Sequence, residues 1–439
     1  MLNNRRKLLT VALPAMVENI LQMLMGLVDS YLIAKISLVA VSGVAMANNL
    51  LAIYQAIFIA IGAAATSLVA KAKGESDYSK QQAYIANALL LSLLLSFILG
   101  LLSFFFGYPL LHLLGAEPLV AQTGASYLAI VGGLVVSLGL LTVLGGIVRA
   151  LGFPRLPMEV SLITNILNAG LSLLALFVLG WGLTGVAFAT VIARFLGVLL
   201  LVRRLPLGQL RFKSQGHKMA EVMAIALPAA GERLMMRLGD LMILTILVRL
   251  GTKVVAGNAI GESISQFNYM PGLAVATATL LFVSEEVGQG HPERVKKLVR
   301  DSYWLSLGMM LVISGLVFLF GDSLSSQFTS DSLAKGASLT VLGYSLLFAP
   351  CTAGTLVYTA LWQGLGNARL PFYATTIGMW LIRILGGYFL TVSVGIGYAG
   401  IWIATGLDNA FRWFFLSRLY AKQLAKKKKD EVDELNSEA

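Results

Sequence analysis

Cysteine is almost missing from this chain. Only Cys351 is present, so an internal disulfide is impossible and a cysteine-built metal centre is excluded. Histidine is nearly as scarce, with His112, His217 and His291 all falling between apolar runs. Neither an HExxH pair nor a GxxxxGK[ST] phosphate loop occurs, which argues against a zinc hydrolase and an ATP-driven pump. Charge is the third deficit. Only 13% of the 439 residues are Asp, Glu, Lys or Arg, against about a quarter in a soluble domain. With 57% hydrophobic residues and a mean hydropathy of +0.80, a soluble enzyme is ruled out. No enzymatic activity and no cofactor are expected.

Long apolar runs stand in place of these groups. They recur near 9–33, 39–70, 85–106, 126–148, 159–179, 183–202, 222–248, 254–283, 302–320, 339–363, 372–394 and 398–420. Each is long enough to span a bilayer, which predicts an all-α polytopic membrane protein of twelve transmembrane helices. The first run continues directly into a second without a cleavage pattern, so it is expected to be retained rather than removed as a signal peptide. The net charge of +11 belongs to topology, not to nucleic acid. Basic residues gather in alternate loops, at Arg5–Lys7, Lys71–Lys80, Arg203–Lys218, Arg294–Arg300 and Lys422–Lys429, whereas the other loops hold Lys35, Arg249, Lys253 and Lys335. That asymmetry predicts both termini on the cytoplasmic side of the membrane. The tail from 422 to 439 is expected to be disordered and to lie against anionic lipid.

The chain also repeats itself. At an offset of 214, Ala12-Leu13-Pro14-Ala15 meets Ala226-Leu227-Pro228-Ala229, Glu18 meets Glu232, Gly43 meets Gly257 and Gly74 meets Gly288. Arg155-Leu156-Pro157 meets Arg369-Leu370-Pro371, and after one inserted residue Gly182, Thr190 and Arg203 meet Gly397, Thr405 and Arg418. Two six-helix bundles follow, a first lobe at 1–202 and a second at 219–421, joined by a cytoplasmic linker at 203–218. Six is even, so the copies enter the membrane from the same side and are related by a pseudo-two-fold along its normal, as in secondary transporters.

Eleven charges lie inside the runs: Glu18, Asp29, Arg194, Glu232, Arg233, Arg237, Asp240, Glu262, Arg383, Asp408 and Arg412. At roughly 3 kcal/mol each on insertion scales they must pair, face water or work. Spacing alone suggests Arg237–Asp240 and Asp408–Arg412 as local ion pairs. In the first helix, Glu18 and Asp29 end only ~20° out of phase, with Gln22 one turn from Glu18, so the three form a polar stripe. The first lobe has two such acids and one base, Arg194. One carboxylate therefore lacks an obvious partner and suits exchange of a proton or cation, unless Arg194 clasps it. On the fifth run Asn165, Asn168 and Ser172 share a face, and Thr190 of the sixth is positioned to join them. Glu232, Asp240 and Glu262 are candidates for a cleft between the lobes, together with Gln22, Asn165 and Arg194.

The stretches LPAMVENILQMLMGLVDSYLIAKIS at 13–37, VRALGFPRLPM at 148–158, NILNAGL at 165–171, GLTGVAFATVIA at 182–193, GLGNARLPF at 364–372 and WLIRILGGYFL at 380–390 resemble the multidrug and toxic compound extrusion (MATE) family. The likeness covers nearly the whole chain and points to the DinF-like prokaryotic branch. It implies a monomeric antiporter that exports small cationic or amphipathic organic compounds against H⁺ or Na⁺ by alternating access. Asp29 then resembles the family's cation-linked acid, with Gln22 near it. Asn168 and Thr190 resemble the asparagine and threonine of helices five and six, and these three would be the ligands if Na⁺ is the ion. Ser172 stands where related members carry an aspartate. That departure favours protons and puts more weight on Asp29, with Glu18 as a possible second acid. A lipid-linked oligosaccharide flippase is the main alternative, since Arg194, Arg233, Arg237, Arg383 and Arg412 are placed to meet a pyrophosphate. A major-facilitator carrier is disfavoured, because KAKGESDYSKQQ at 71–82 lacks that group's loop signature.

Overall fold

The computed structural model describes residues 2–205 and 216–438, with side chains described for 4–205 and 216–426. The described residues form helices and turns, without a strand. The first lobe comprises α1 (Leu2–Ala34), α2 (Leu38–Gly74), α3 (Tyr78–Leu113), α4 (Pro118–Val131), α5 (Val136–Leu151), α6 (Leu156–Leu173) and α7 (Gly182–Val202). The second comprises α8 (Gly216–Val248), α9 (Thr252–Gly288), α10 (Pro292–Leu319), the short α11 (Gly321–Ser326), α12 (Ser332–Leu347), α13 (Ala349–Gly364), α14 (Arg369–Ile377) and α15 (Ala399–Glu438).

These elements resolve into the twelve expected spans. Eight are single apolar helical stretches, and α4/α5 and α12/α13 are two more, bent by 52° and 60°. The last two, α8 and α15, are long helices with charged groups such as Glu232 and Arg412 in their apolar stretches. The bent pairs occupy equivalent places in the two lobes, so the repeat extends to its irregularities. So does the helix winding. A π-helical turn at 174–178 after α6 has a counterpart at 389–393, while a further π-helical stretch at 378–386 occurs, among the described residues, only in the second lobe. A π turn accommodates one extra residue within a helix, and here it absorbs the single insertion in the register.

The helices overrun the apolar runs at both ends, because capping side chains rather than hydropathy stop them. Ser37 Oγ accepts from the Ala40 amide at 3.0 Å, and Asp77 from the Lys80 amide at 2.9 Å. As a result His112 and His217, expected in loops, lie in the last turn of α3 and the first turn of α8. The expected linker is also shortened, since α8 begins at Gly216; residues 206–215 lie outside those described. The tail expected to be disordered instead continues α15 as helix to Glu438. Its Lys, Glu and Leu residues, and the lack of Pro and Gly, favour continued helix.

The lobes meet at one end and part at the other. The main apolar core runs through both lobes only at the end bearing the termini, where Leu8, Val11 and Ala12 of α1 join Val222 and Ala226 of α8 and Phe282 of α9. At the opposite end the second lobe has its own cluster of Ile243, Leu247, Val254 and Ile401. Polar contacts follow suit. Ser67 Oγ donates to the Gln363 carbonyl at 3.1 Å, and Ser284 Oγ lies 3.0 Å from Ser67 Oγ. Lys7 lies 3.7 Å from both Glu285 and Glu286, and Asn4 donates to Asp301 at 3.3 Å. Tyr84 and Lys218 both bond Glu221.

At the centre of this closure α2 crosses α9. A Cβ on Gly74 would collide with the Glu285 carbonyl oxygen, and one on Gly288 would collide with that of Lys71. Gly74 and Gly288, like Lys71 and Glu285, are 214 residues apart. The crossing is therefore a self-matched contact on the pseudo-two-fold, and only glycine lets the backbones approach so closely.

Candidate functional site

The polar cluster of the first lobe forms where α1, α6 and α7 converge, in the half of the molecule where the lobes part. Asn168 Nδ2 lies 3.3 Å from each carboxylate oxygen of Asp29. Its Oδ1 accepts from Ser172 at 3.3 Å and from Thr190 at 3.4 Å. Asn168, Ser172 and Thr190 are buried, and Asp29 is partly exposed. The i, i+4 spacing on α6 presents the amide and the hydroxyl together, and Thr190 reaches them from α7. One residue not anticipated, Tyr127, and the expected Arg194 complete the surroundings. Buried Tyr127 of α4 stands beside Thr190 and Arg194, and Arg194 has one guanidinium nitrogen, Nη1, without a partner among the described residues. Among the described residues, no base lies within ion-pair distance of Asp29, so the anticipated alternative of an Arg194 clasp is not formed.

Glu18 does not join this cluster. Arg149 Nη2 donates to it at 2.6 Å, and both side chains are largely buried. The apolar run expected to end near 148 leaves Arg149 just outside it, but α5 runs on to Leu151 and carries the guanidinium back against α1. The expected stripe therefore divides into an inner acid held by arginine and an outer acid held by an amide. Gln22 is exposed between them, and Asn165 ties α6 to α1 by donating to the Leu21 carbonyl at 2.9 Å.

In the second lobe Asp408 and Arg412 pair at 2.8 Å, as their spacing suggests. The pair expected within α8 does not form. Asp240 instead lies 3.4 Å from Arg383 on the π-helical stretch after α14, and Arg383 Nε donates to Thr405 at 3.1 Å. The i, i+3 spacing permits Arg237 to approach Asp240, yet the guanidinium from the neighbouring helix takes the place. Glu232 is buried, accepting from Thr375 at 3.2 Å and Gln363 at 3.4 Å. Glu262 is exposed near Arg383 and Asp240, above a chain in which Trp402 donates to Tyr398 at 2.9 Å and Tyr398 to Asn258 at 2.8 Å.

The MatE family model matches this chain twice, over residues 14–174 and 228–389. The chain belongs to the MatE family. The two matches begin 214 residues apart and end 215 apart, reproducing both the register and its single insertion. Among MatE relatives, a probable multidrug resistance protein NorM of Thermotoga maritima is 28% identical over 441 residues, covering 95% of this chain and 94% of its own length. An uncharacterized transporter, YisQ, of Bacillus subtilis is 24% identical over 95% of this chain and 94% of its own. Solved MatE structures share the fold. A MATE in its bent conformation superposes with a TM-score of 0.90 at 18% identity, covering 98% of this chain and 97% of its own. An outward-facing multidrug resistance MATE of the MOP superfamily superposes at 0.88 with 18% identity, covering 97% of each.

Proposed function

We propose that this protein is a secondary active multidrug exporter that antiports cationic or amphipathic organic compounds against H⁺ or Na⁺ by alternating access. In this reading it works as a monomer in the cytoplasmic membrane of a bacterium, with both termini in the cytoplasm. The observation that carries it is Asp29: a carboxylate inside a spanning helix, on the side where the lobes part, held by a neutral amide rather than a base. Family membership and the names of the relatives support the same class.

The chemistry follows from the donor set. An intramembrane carboxylate without a fixed counter-charge is costly while ionised, so it takes up a proton or a cation when the other side of the cleft offers one. A protonated Asp29 would donate to Asn168 Oδ1 once that amide turns over. Ser172 and Thr190 can then accept from Nδ2, since hydroxyls both donate and accept. Sodium would use the same turned amide, with one carboxylate and up to two hydroxyl oxygens around it. A single acid gives a weak site for Na⁺, which favours the proton. Releasing the ion restores the negative charge, and an organic cation entering the open half then balances it. On the facing lobe Asp240 and Glu262 are balanced by Arg383 and Arg237, so that wall carries no net charge of its own and leaves Asp29 to balance the cargo.

The flippase alternative needs a cationic wall for a pyrophosphate. Arg383 and Arg412 are already committed to Asp240 and Asp408, which leaves that wall incomplete. The deciding experiment is transport in proteoliposomes. An imposed pH gradient without Na⁺ should drive movement of ethidium, and Asp29→Asn should stop it. Gradient-driven transport that survives the substitution would refute the reading, and so would competition for binding by a lipid-linked pyrophosphate but not by ethidium.

A further inference from the structure

We propose that Arg383 is a built-in cation: it occupies, in the second lobe, the place that the exchanged ion takes in the first, and so keeps Asp240 from trading its partner. The proposal rests on the reading of Asp29 as the exchanging acid. It is carried by a correspondence between hydrogen bonds. Asn168 accepts from Thr190, 22 residues further on, at 3.4 Å, and Arg383 donates to Thr405, also 22 residues further on, at 3.1 Å. The two threonines are repeat mates at an offset of 215, which makes Arg383 the repeat mate of Asn168. The offset of 214 that holds before the insertion places Ile243 opposite Asp29, and Asp240 lies one turn earlier on the same helix. In the first lobe an amide faces an acid across 3.3 Å, and the nearby Arg194 does not come within ion-pair distance of that acid. In the second, a guanidinium faces an acid across 3.4 Å.

A guanidinium stays protonated under all physiological conditions, so it cannot be released as the lobes rock. Its position is also fixed from two sides, by Thr405 through Nε and by Asp240 through Nη2. The extra π-helical winding at 378–386 is what brings residue 383 into the register of Asn168. The other charged groups close by are Glu262 and, one turn before Asp240 on α8, Arg237. Neither replaces Arg383, since Glu262 has the same sign as Asp240 and Arg237 makes no ion pair among the described residues.

Purified protein in detergent tests this through ion binding, read as proton uptake with a pH indicator and as binding of radioactive sodium. In the Asp29→Asn parent, adding Arg383→Gln should raise ion uptake severalfold, and adding Asp240→Asn should remove the gain. Arg383→Lys, which keeps the charge, should give none. Absence of a gain in a monodisperse Arg383→Gln protein overturns the proposal, as does a gain that Asp240→Asn leaves untouched. Should Arg383→Gln fail to fold, the wild-type protein supplies the second measurement. A hydrophobic carbodiimide should modify Asp29 in preference to Asp240, and modification of Asp240 to an equal or greater extent overturns the assignment. The reading of Asp29 fails separately, if the Asp29→Asn parent itself retains gradient-driven ethidium transport.

Discussion

The two lobes descend from one plan, yet each distributes its charge differently. At the inner depth, Glu18 is held by Arg149 in the first lobe, and its repeat mate Glu232 is held by Gln363 in the second; both contacts span 131 residues. At the outer depth the assignment reverses, with Asp29 on the amide of Asn168 and Asp240 on Arg383. At these two depths each lobe thus has one acid on an arginine and one on an amide, in opposite order, and the second lobe adds the separate pair Asp408–Arg412. The comparison teaches that a duplicated scaffold fixes where an acid can sit, while the residue facing it decides whether that acid is locked or open to exchange.

The strongest way to break this comparison is to remove the open acid. Asp29→Asn should reduce gradient-driven ethidium efflux to background while the protein still inserts and purifies as a single species. The next test exchanges the partners. Arg149→Gln strands Glu18 in the bundle and should cost about 3–5 kcal/mol, the usual penalty for breaking a buried ion pair. Gln363→Leu removes only a neutral donor and should cost about 1 kcal/mol. Thermal unfolding in detergent ranks the two, and equal losses would show that the lobes are not polarised in this way.

A smaller effect is expected at the crossing on the axis. Gly74→Leu and Gly288→Leu should each weaken closure by about 1–3 kcal/mol through overpacking. Both should slow disulfide formation between cysteines placed at Ser67 and Ser284, and by similar factors, because the contact is self-matched. Smallest is a pH effect at the helix entries. Asp331 caps α12, and bonds from Lys253 and the Leu333 and Ala334 amides hold its carboxyl below the ordinary range. Its contribution is therefore present above the ordinary carboxylate value and lost as pH falls through the depressed one. Glu117, its repeat mate at the start of α4, makes no capping bond. Amide exchange at the start of α12 should quicken on acidification, and exchange at the start of α4 should not.

The spans and the repeat were legible in the residues because hydropathy and register are linear properties of the chain. The grouping of Asn168 with Ser172 and Thr190 was legible for a similar reason, as helical spacing sets a face. Partners from distant segments were not. Arg149 looked like a loop residue because apolar runs end before helices do, and Asp240 looked paired within α8 because its true partner, Arg383, lies on a distant segment of the chain. The exchange of amide and arginine between lobes needed coordinates, although Arg149 with Gln363 and Asn168 with Arg383 can be aligned once the insertion has been placed.

One consequence of the crossing at Gly74 and Gly288 is geometric. A helix of 37 residues, the length of both α2 and α9, measures about 55 Å at ~1.5 Å per residue. Two such rods joined at one tip behave like the legs of a drawing compass: widening the angle by about 10° moves the free tips roughly 10 Å further apart. The smallest side chain in the repertoire, placed at the joint, thereby sets how wide a mouth the far side of the molecule can present.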